Sequence, residues 1–415
     1  MSTPLAVRED RTAPAELIAL RSVAAVRARC ARVRDWVAHG RSAHFTLDET
    51  RIDAAARVVA EVTRSAYPDL AIPHHSRWRH FCAGELDRWA SLPLAGAAAV
   101  ERARAAVDLA VVSVLLDAGA GAAWSYRDKE TGLTFARSEG LAVASFDMFR
   151  AGLFSSDPSL PLRVDGKALA GLGLPALAAG FQASDPNPLV GLPHRLTLLQ
   201  RLGAALGERP DLFGAAGRPG HLIDAIVASS PNGKIGAPKI LALVLDALAT
   251  IWPSGLTIDG VALGDAGRHP AVRTQDRSDG IVPFHKLSQW LTFSLIEPIE
   301  QAGVAVTDLD GLTALPEYRN GGLLIDMGVI VPRAPLAPAE PRDVASELIV
   351  EWRALTVALM DQLRPAVARR LGLPTLTLSQ LLQGGTWSAG RAIAAERRPP
   401  DGPPPIAVKA DGTVF

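Results

Sequence analysis

Apolar residues return every third or fourth position along most of the chain, the spacing of helices that turn one face inward. Glu16–Ala38, rich in Ala, Arg, Leu and Val and free of Gly and Pro, predicts an amphipathic helix. Arg51–Tyr67 predicts a second, opened by cap signals at Thr46-Leu47-Asp48-Glu49 and stopped by Pro68. Ala97–Leu116 reads as a long Ala/Val helix ending at Asp117-Ala118-Gly119-Ala120-Gly121, with Trp124–Asp128 as loop. Gly140–Phe154, Ala168–Gln182 and His194–Leu206 continue the helical pattern, interrupted by a short extended piece at Leu160–Asp165 and by Asp185-Pro186-Asn187-Pro188. Ile240–Trp252 reads as a buried helix, Ser254–Asp265 as a hairpin, Val282–Ala302 as an amphipathic helix containing Pro298, and Val344–Leu371 as a long helix kinked at Pro365. Leu376–Leu382 and Thr386–Arg397 predict two short helices around a turn at Gly384-Gly385, while Pro332–Pro341 and the proline-rich tail read as linker and extended chain. The expected fold is therefore mainly α with a few short strands. It divides into a helical lobe over 1–190, a lobe over 191–335 carrying most of the chemistry, and C-terminal helices with an extended tail over 336–415. Ser184–Pro193 marks the first boundary.

Composition narrows the class without changing that picture. With 415 residues and 48% hydrophobic content the chain can bury a large core. Lys plus Arg and Asp plus Glu each number 43, so no net field draws a polyanion and nucleic acid is not the expected partner. Cys30 and Cys82 are too few for a disulfide framework, and the charged start MSTPLAVRED lacks an apolar signal core, so a cytoplasmic location is expected. The most apolar stretches, Val111–Trp124 and Ile240–Trp252, are short and carry Asp117 and Asp246, so no membrane span is expected. There is no GxxxxGK(S/T) phosphate loop, no GxSxG nucleophile elbow and no CxxC pair. No metal or cofactor is expected on these grounds, and the chemistry must lie in less common constellations.

The densest of these is Leu312–Ile330. Pro316 biases Leu315 away from helix, and Asn320-Gly321-Gly322 tolerate positive φ, so Glu317-Tyr318-Arg319 is expected on a short segment between breaks. A carboxylate, a phenol and a guanidinium in succession suit anion binding and acid/base work; a charged turn closed by a Glu/Arg ion pair fits the same residues. Ile72–Phe81 gathers His74, His75 and His80 with Arg77 and Arg79 around Trp78, compatible with an anion-binding loop, a metal site or a solvated surface anchored by its aromatics. Asp117 follows the apolar run Val111–Leu116. Burial there raises a carboxyl pKa unless donors compensate, and the same residue is able to close a local turn. In Val282–Leu291, His285 and Gln289 sit four apart, as do Lys286 and Trp290. Near a helix start, backbone N–H groups with Lys286 and His285 would hold a phosphate; an ordinary surface lysine is the other reading.

Phe284-His285-Lys286-Leu287-Ser288-Gln289-Trp290-Leu291 and Leu312–Gly322 resemble signatures of the Urc/Urg-type uracil-catabolism proteins of fungi and bacteria. His75–Phe81, Gly384-Gly385-Thr386-Trp387 and Asp411-Gly412-Thr413-Val414-Phe415 look like that family's other signatures, so the resemblance spans nearly the whole chain. It implies a role in a non-reductive route of uracil breakdown, in which the ring is opened and a ribosyl-linked urea is separated from its sugar. A second resemblance is to the queuosine-salvage nucleotide N-glycosylases. It rests on the Phe-x-Lys-x-x-Gln helix and on a Leu-Thr and acid-Tyr-Arg segment in which Glu317 stands where that pattern has Asp. It implies an architecture akin to the helix-hairpin-helix DNA glycosylases. Asp117, ahead of Trp124, looks like an acidic position before a Trp in the same relatives.

These resemblances imply an N-ribosyl hydrolase acting on a small nucleotide-like substrate. Glu317 would stabilise positive charge on the sugar and orient or deprotonate water, and Asp117 or His285 would protonate the departing nitrogen. Lys286, Arg319 and Arg77 would bind a 5′-phosphate, with Tyr318 or Trp290 bordering the sugar or urea. A phosphoribosyl-transfer enzyme and a non-catalytic nucleotide-binding or scaffold protein of the same pathway are the alternatives; DNA repair rests on fold analogy alone. The sequence leaves open whether the substrate is phosphorylated and whether the chain forms a homo-oligomer.

Overall fold

The long helices expected from apolar spacing form and pack on one another. The computed structural model describes residues 13–230, 232–252, 255–336, 340–400 and 402–409. Asp411–Phe415, Ser254 of the expected hairpin and residues 337–339 of the expected linker lie outside the described residues. The principal helices are α1 (Val23–Ala38), α2 (Ile52–Ala66), α3 (Ala99–Leu115), α4 (Arg137–Arg150), α5 (Leu192–Glu208), α6 (Ala237–Leu248), α7 (Lys286–Gln301), α8 (Tyr318–Asp326), α9 (Glu347–Leu371) and α10 (Trp387–Arg397). The Ala/Val run of α3 is buried on every face from Ala105 to Leu115, and it packs along α7 and α4. The long α9 crosses α1 and α2, while α8 lies on α10. The main core gathers side chains from Val23 to Ile406.

Strands are short and come in pairs. Phe45–Leu47 runs antiparallel to Ile330–Pro332, and Lys234–Gly236 runs parallel to Ala305–Thr307. The expected hairpin is present as Leu256–Ile258 on Val261–Gly264, and Ala266–Arg268 pairs with Ile281–Pro283 just before α7. No described helix is long and apolar enough to cross a membrane.

Several local expectations are corrected. Glu16–Ala38 is two helices, because the Ser22 hydroxyl accepts the Ala25 N–H at 3.2 Å and starts α1 afresh. Ala168–Gln182 is likewise split into Gly166–Ala170 and Leu174–Gly180, parted at Gly171–Gly173. Leu160–Asp165 joins no strand pair among the described residues, and Asp165, in extended backbone, caps the helix that follows. Trp124–Asp128 contains a strand, Tyr126–Arg127, paired with Thr134–Phe135. Gly384-Gly385 is not a turn. Leu378–Leu381, the π-helical turn Leu382–Thr386 and α10 follow one another without a gap, and a Cβ on Gly385 would meet Thr63 Oγ1 of α2 at 2.5 Å. That glycine is there for close approach, not for a reversal.

Candidate active site

Two clamps fix the start of α7. Asp265 accepts the Phe284 and His285 N–H groups on its carbonyl at 2.9 and 3.1 Å. Its carboxylate accepts the Lys286 N–H at 2.9 Å and two N–H groups of Arg353, from α9, at 2.8 and 2.7 Å. The Arg353 guanidinium lies 4.1 Å from the centre of the Phe284 ring. Held this way, His285 adopts the left-handed backbone, φ 51° and ψ 36°, a conformation that persists only where its surroundings impose it. In the second clamp, Gln289 donates to Thr313 Oγ1 at 2.6 Å and accepts the Thr313 N–H at 2.9 Å. The Phe-x-Lys-x-x-Gln and Leu-Thr stretches are thus one mechanical unit, and the chain leads from Thr313 directly into Glu317.

Glu317 caps α8. Its two carboxylate oxygens accept the Arg319 N–H at 2.7 Å and the Asn320 N–H at 2.6 Å. Burial pushes its carboxyl above the usual range, although those two donors and the charges of Lys286 and Arg319 oppose the change. The segment is not a stretch between breaks, as the sequence predicts. Asn320-Gly321-Gly322 continues the helix, and a Cβ on Gly321 would meet Thr356 Oγ1 and Trp352 Nε1 at 2.7 Å. Nor does the Arg319 guanidinium close a turn on Glu317. It donates to the Gly402 carbonyl at 2.9 Å and stands 4.9 Å from the centre of the Tyr318 ring. Tyr318 stays partly accessible, with its hydroxyl pKa raised by burial and by Glu317.

Lys286 is no surface lysine. Burial and the nearby Arg353 charge lower its pKa, while Glu317, Asp265 and Asp117 raise it, so one ammonium group lies within electrostatic reach of three carboxylates. The helix N-terminus expected to receive a phosphate is instead engaged by Asp265. His285 directs Nε2 at the Leu20 carbonyl, 2.9 Å away, and burial lowers its pKa, so it is neutral with its N–H committed there. It does not supply a proton to the site.

Asp117 and Arg77 form a buried ion pair, Nη1 to Oδ2 at 2.9 Å, with side-chain exposures of 0% for Arg77 and 7% for Asp117. Trp290 Nε1 donates to the same Oδ2 at 3.1 Å. Arg77 also donates from Nε to Ser113 Oγ at 2.8 Å and from Nη1 to the Ser138 carbonyl at 3.0 Å. Burial alone would raise the Asp117 carboxyl, but the Arg77 charge and the Trp290 N–H hold it below the usual range. Asp117 is therefore ionised, and its expected role as a proton donor is withdrawn. It closes no local turn either, since its partners come from elsewhere in the chain.

From the His-rich stretch the sequence gives a substrate-binding role to Arg77 alone. The structure buries Ser76, Arg77, Trp78 and Phe81 rather than solvating them, and it brings His75 and His80 against Trp290, with ring centres at 4.4 and 6.1 Å. His75 Nδ1 faces Gln383 Oε1 at 3.0 Å, and Gln383 in turn donates to the Tyr67 hydroxyl. His75 thus carries its proton on Nδ1 and a lone pair on Nε2. His80 presents Nδ1 to Arg77 Nη1 at 3.1 Å, so its proton is on Nε2. Burial lowers the two pKa values to about 4 and about 3, which leaves both rings neutral at pH 7. Gln383 lies in the π-helical turn, a feature common near functional sites that no sequence pattern announced.

Two other features are set apart from this site. A recess of about 320 Å³ lined by Arg51, Ala54, Ile325, Asp326, Met327, Gly328 and Arg397 lies at the far end of α8 from Glu317. His269, Glu347 and Glu351 bring ligand-type atoms within 4.8 Å of one another. However, His269 Nδ1 accepts the Ala271 N–H at 3.1 Å, which puts its proton on Nε2, facing Glu351 at 2.9 Å. A metal-binding histidine normally donates from its second nitrogen, so this is a hydrogen-bonded tie between α9 and the loop after Ala266–Arg268.

Fold and geometry together define a mainly helical protein in which a capped carboxylate and an internal Arg–Asp pair lie within electrostatic reach of a half-buried lysine, beside a tryptophan. The chain belongs to the family described as Protein of unknown function (DUF1688), which matches residues 19–415. It is 40% identical over 430 residues to Uracil catabolism protein 4 of Lachancea kluyveri, covering 95% of this chain and 98% of that protein. It is 39% identical over 382 residues to Protein urg3 of Schizosaccharomyces pombe, covering 89% of this chain and 92% of that protein.

Proposed function

We propose that this protein acts in uracil catabolism as an N-ribosyl hydrolase, releasing urea from ribosylurea or its 5′-phosphate. The pathway is that of its relative named for uracil catabolism. The observation that carries the reaction type is the backbone-capped carboxylate of Glu317 with the Lys286 ammonium within its electrostatic reach. Breaking a ribosyl C–N bond builds positive charge on the sugar, which a fixed carboxylate stabilises without reorganising. Glu317 is the residue for that work. Its two oxygens are locked by backbone donors, each keeping a further lone pair for a water or the sugar. Lys286, with its depressed pKa, is suited to give a proton to the departing nitrogen or to hold the sugar's 5′ substituent. Arg319 and Arg77 are committed to the Gly402 carbonyl and to Asp117, so a phosphate would rely on Lys286. The same constellation fits the glycosylase-like architecture implied by the queuosine-salvage resemblance.

One observation favours a non-catalytic nucleotide-binding role: the Glu317 carboxylate already has a structural use as a cap. Urea release from synthetic ribosylurea and its 5′-phosphate separates the two readings. Wild-type protein is expected to release urea, and Glu317→Gln, whose amide oxygen still caps one N–H, is expected to stay folded and lose at least about a hundredfold in rate. No release by folded wild-type protein, or an undiminished rate in Glu317→Gln, overturns the hydrolase assignment. Lys286→Ala is expected to weaken the phosphorylated substrate more than its unphosphorylated counterpart, and equal losses would remove the phosphate role.

A further inference from the structure

The Arg77–Asp117 pair is saturated on one side only. Among the described residues Arg77 Nη2 and Asp117 Oδ1 are both buried and make no hydrogen bond, although the Ser138 side chain stands near enough to Asp117 to favour its ionised form. Each orphan shares a carbon with an atom of the 2.9 Å contact, so an unused donor and an unused acceptor lie within the span of one small ligand group. Leaving such atoms unpaired costs about 1–3 kcal/mol each, more when charged, and folded proteins seldom keep them without a purpose. The pair neutralises itself, so whatever completes it is a neutral group. A phosphate or carboxylate would be repelled by Asp117, and an ammonium by Arg77. Beside the pair, the fixed tautomers add an acceptor at His75 Nε2 and a donor at His80 Nε2. Both imidazole rings lie against the Trp290 ring, with centres 4.4 and 6.1 Å away.

From this geometry we infer that Arg77 and Asp117, flanked by His75 and His80, recognise the leaving group as a neutral ureido or carboxamide unit. Its carbonyl would accept from Arg77 and its adjacent N–H would donate to Asp117. This deepens the hydrolase reading and rests on it. It makes Arg77 and Asp117 specificity residues, distinct from Glu317 at the sugar. A site built to pair a C=O and an N–H rejects ligands lacking them, because its own buried groups are then left unsatisfied.

The test compares ribosylurea with ribosyl fluoride, whose small leaving group has neither carbonyl nor N–H, in the phosphorylation state that the wild-type protein cleaves. Asp117→Asn is expected to lower kcat/KM for ribosylurea by about a hundredfold while changing that for ribosyl fluoride by no more than about threefold. Should Asp117→Asn fail to fold, His80→Phe removes the Nε2 donor together with one acceptor of Arg77, leaves the Arg77–Asp117 contact in place, and is expected to cost about tenfold for ribosylurea alone. Equal losses on both substrates would sink the inference while leaving the hydrolase reading intact. Calorimetric binding of ribosylurea in a Glu317→Gln background covers the opposite case. If the wild-type protein cleaves neither compound, yet binds ribosylurea and loses that binding when Asp117→Asn is added, the hydrolase reading falls and the recognition stands. Binding unchanged by Asp117→Asn overturns the recognition.

Discussion

At Glu317 the cost of burying a carboxylate is opposed by two backbone N–H groups and two cations, and burial still prevails, leaving the carboxyl above its usual range. An exposed glutamate is ionised at neutral pH and would need only positioning; here the surroundings make the residue titrate higher. A turnover that needs the ionised form falls as pH drops through a pKa above that of an exposed glutamate. Lys286→Met removes the cation that most depresses Glu317, so the acid limb of kcat/KM is expected to move to higher pH. A pH–rate profile checks this, and a limb unmoved in the variant contradicts it. Asp117 goes the other way, held ionised by Arg77 and the Trp290 N–H. Nothing in the run Val111–Leu116 reveals that outcome, because the guanidinium comes from forty residues earlier in the chain. His75 and His80 were visible only as an unusual density of histidine, since a tautomer is set by the partner of the other nitrogen, and those partners are Gln383 and Arg77.

At the level of elements, the motif residues separate into those that react and those that hold. Gln289 and Thr313 are clamps, and Asp265 and Arg353 anchor the first turn of α7. Asp265 was passed over in the sequence because a lone aspartate at the end of a hairpin gives no sign of a partner on α9. Gly321 shows how a local rule is overridden. In an exposed helix, Gly→Ala gains up to about 1 kcal/mol. Here the added Cβ would meet Thr356 and Trp352 at 2.7 Å. Gly321→Ala is therefore expected to lose about 1–3 kcal/mol and, by displacing the first turn of α8, to reduce activity through Glu317. Thermal melting and rate measurements test both effects, and a raised Tm would show that the glycine has no packing role.

Across the whole molecule, buried ion pairs join segments far apart in sequence. Arg218 meets Asp108 of α3 and Glu101, both at 2.7 Å, and Asp108 is fully buried with its carboxyl pushed up to about 6 by burial against the pull of Arg218. Arg218→Ala is expected to cost about 3–5 kcal/mol at pH 8, where Asp108 is left as an unpaired buried charge. The loss should be smaller at pH 5, where protonation relieves it. Denaturant unfolding at the two pH values decides, and equal losses would exclude the buried charge as the cause. Legible in the chain alone were the helical class, the long helices α2, α3, α7 and α9, the hairpin before α7 and the stretches in which the candidate residues lie. Those follow from apolar periodicity and side-chain type, which are local properties. Distant contacts are what make Glu317 cap a helix, hold Asp117 ionised against Arg77, turn Arg77 inward, and set two glycine pairs to close packing instead of turns. Each of these depends on a neighbour distant in sequence, and protonation, steric room and hydrogen-bond partnership are set by neighbours in space.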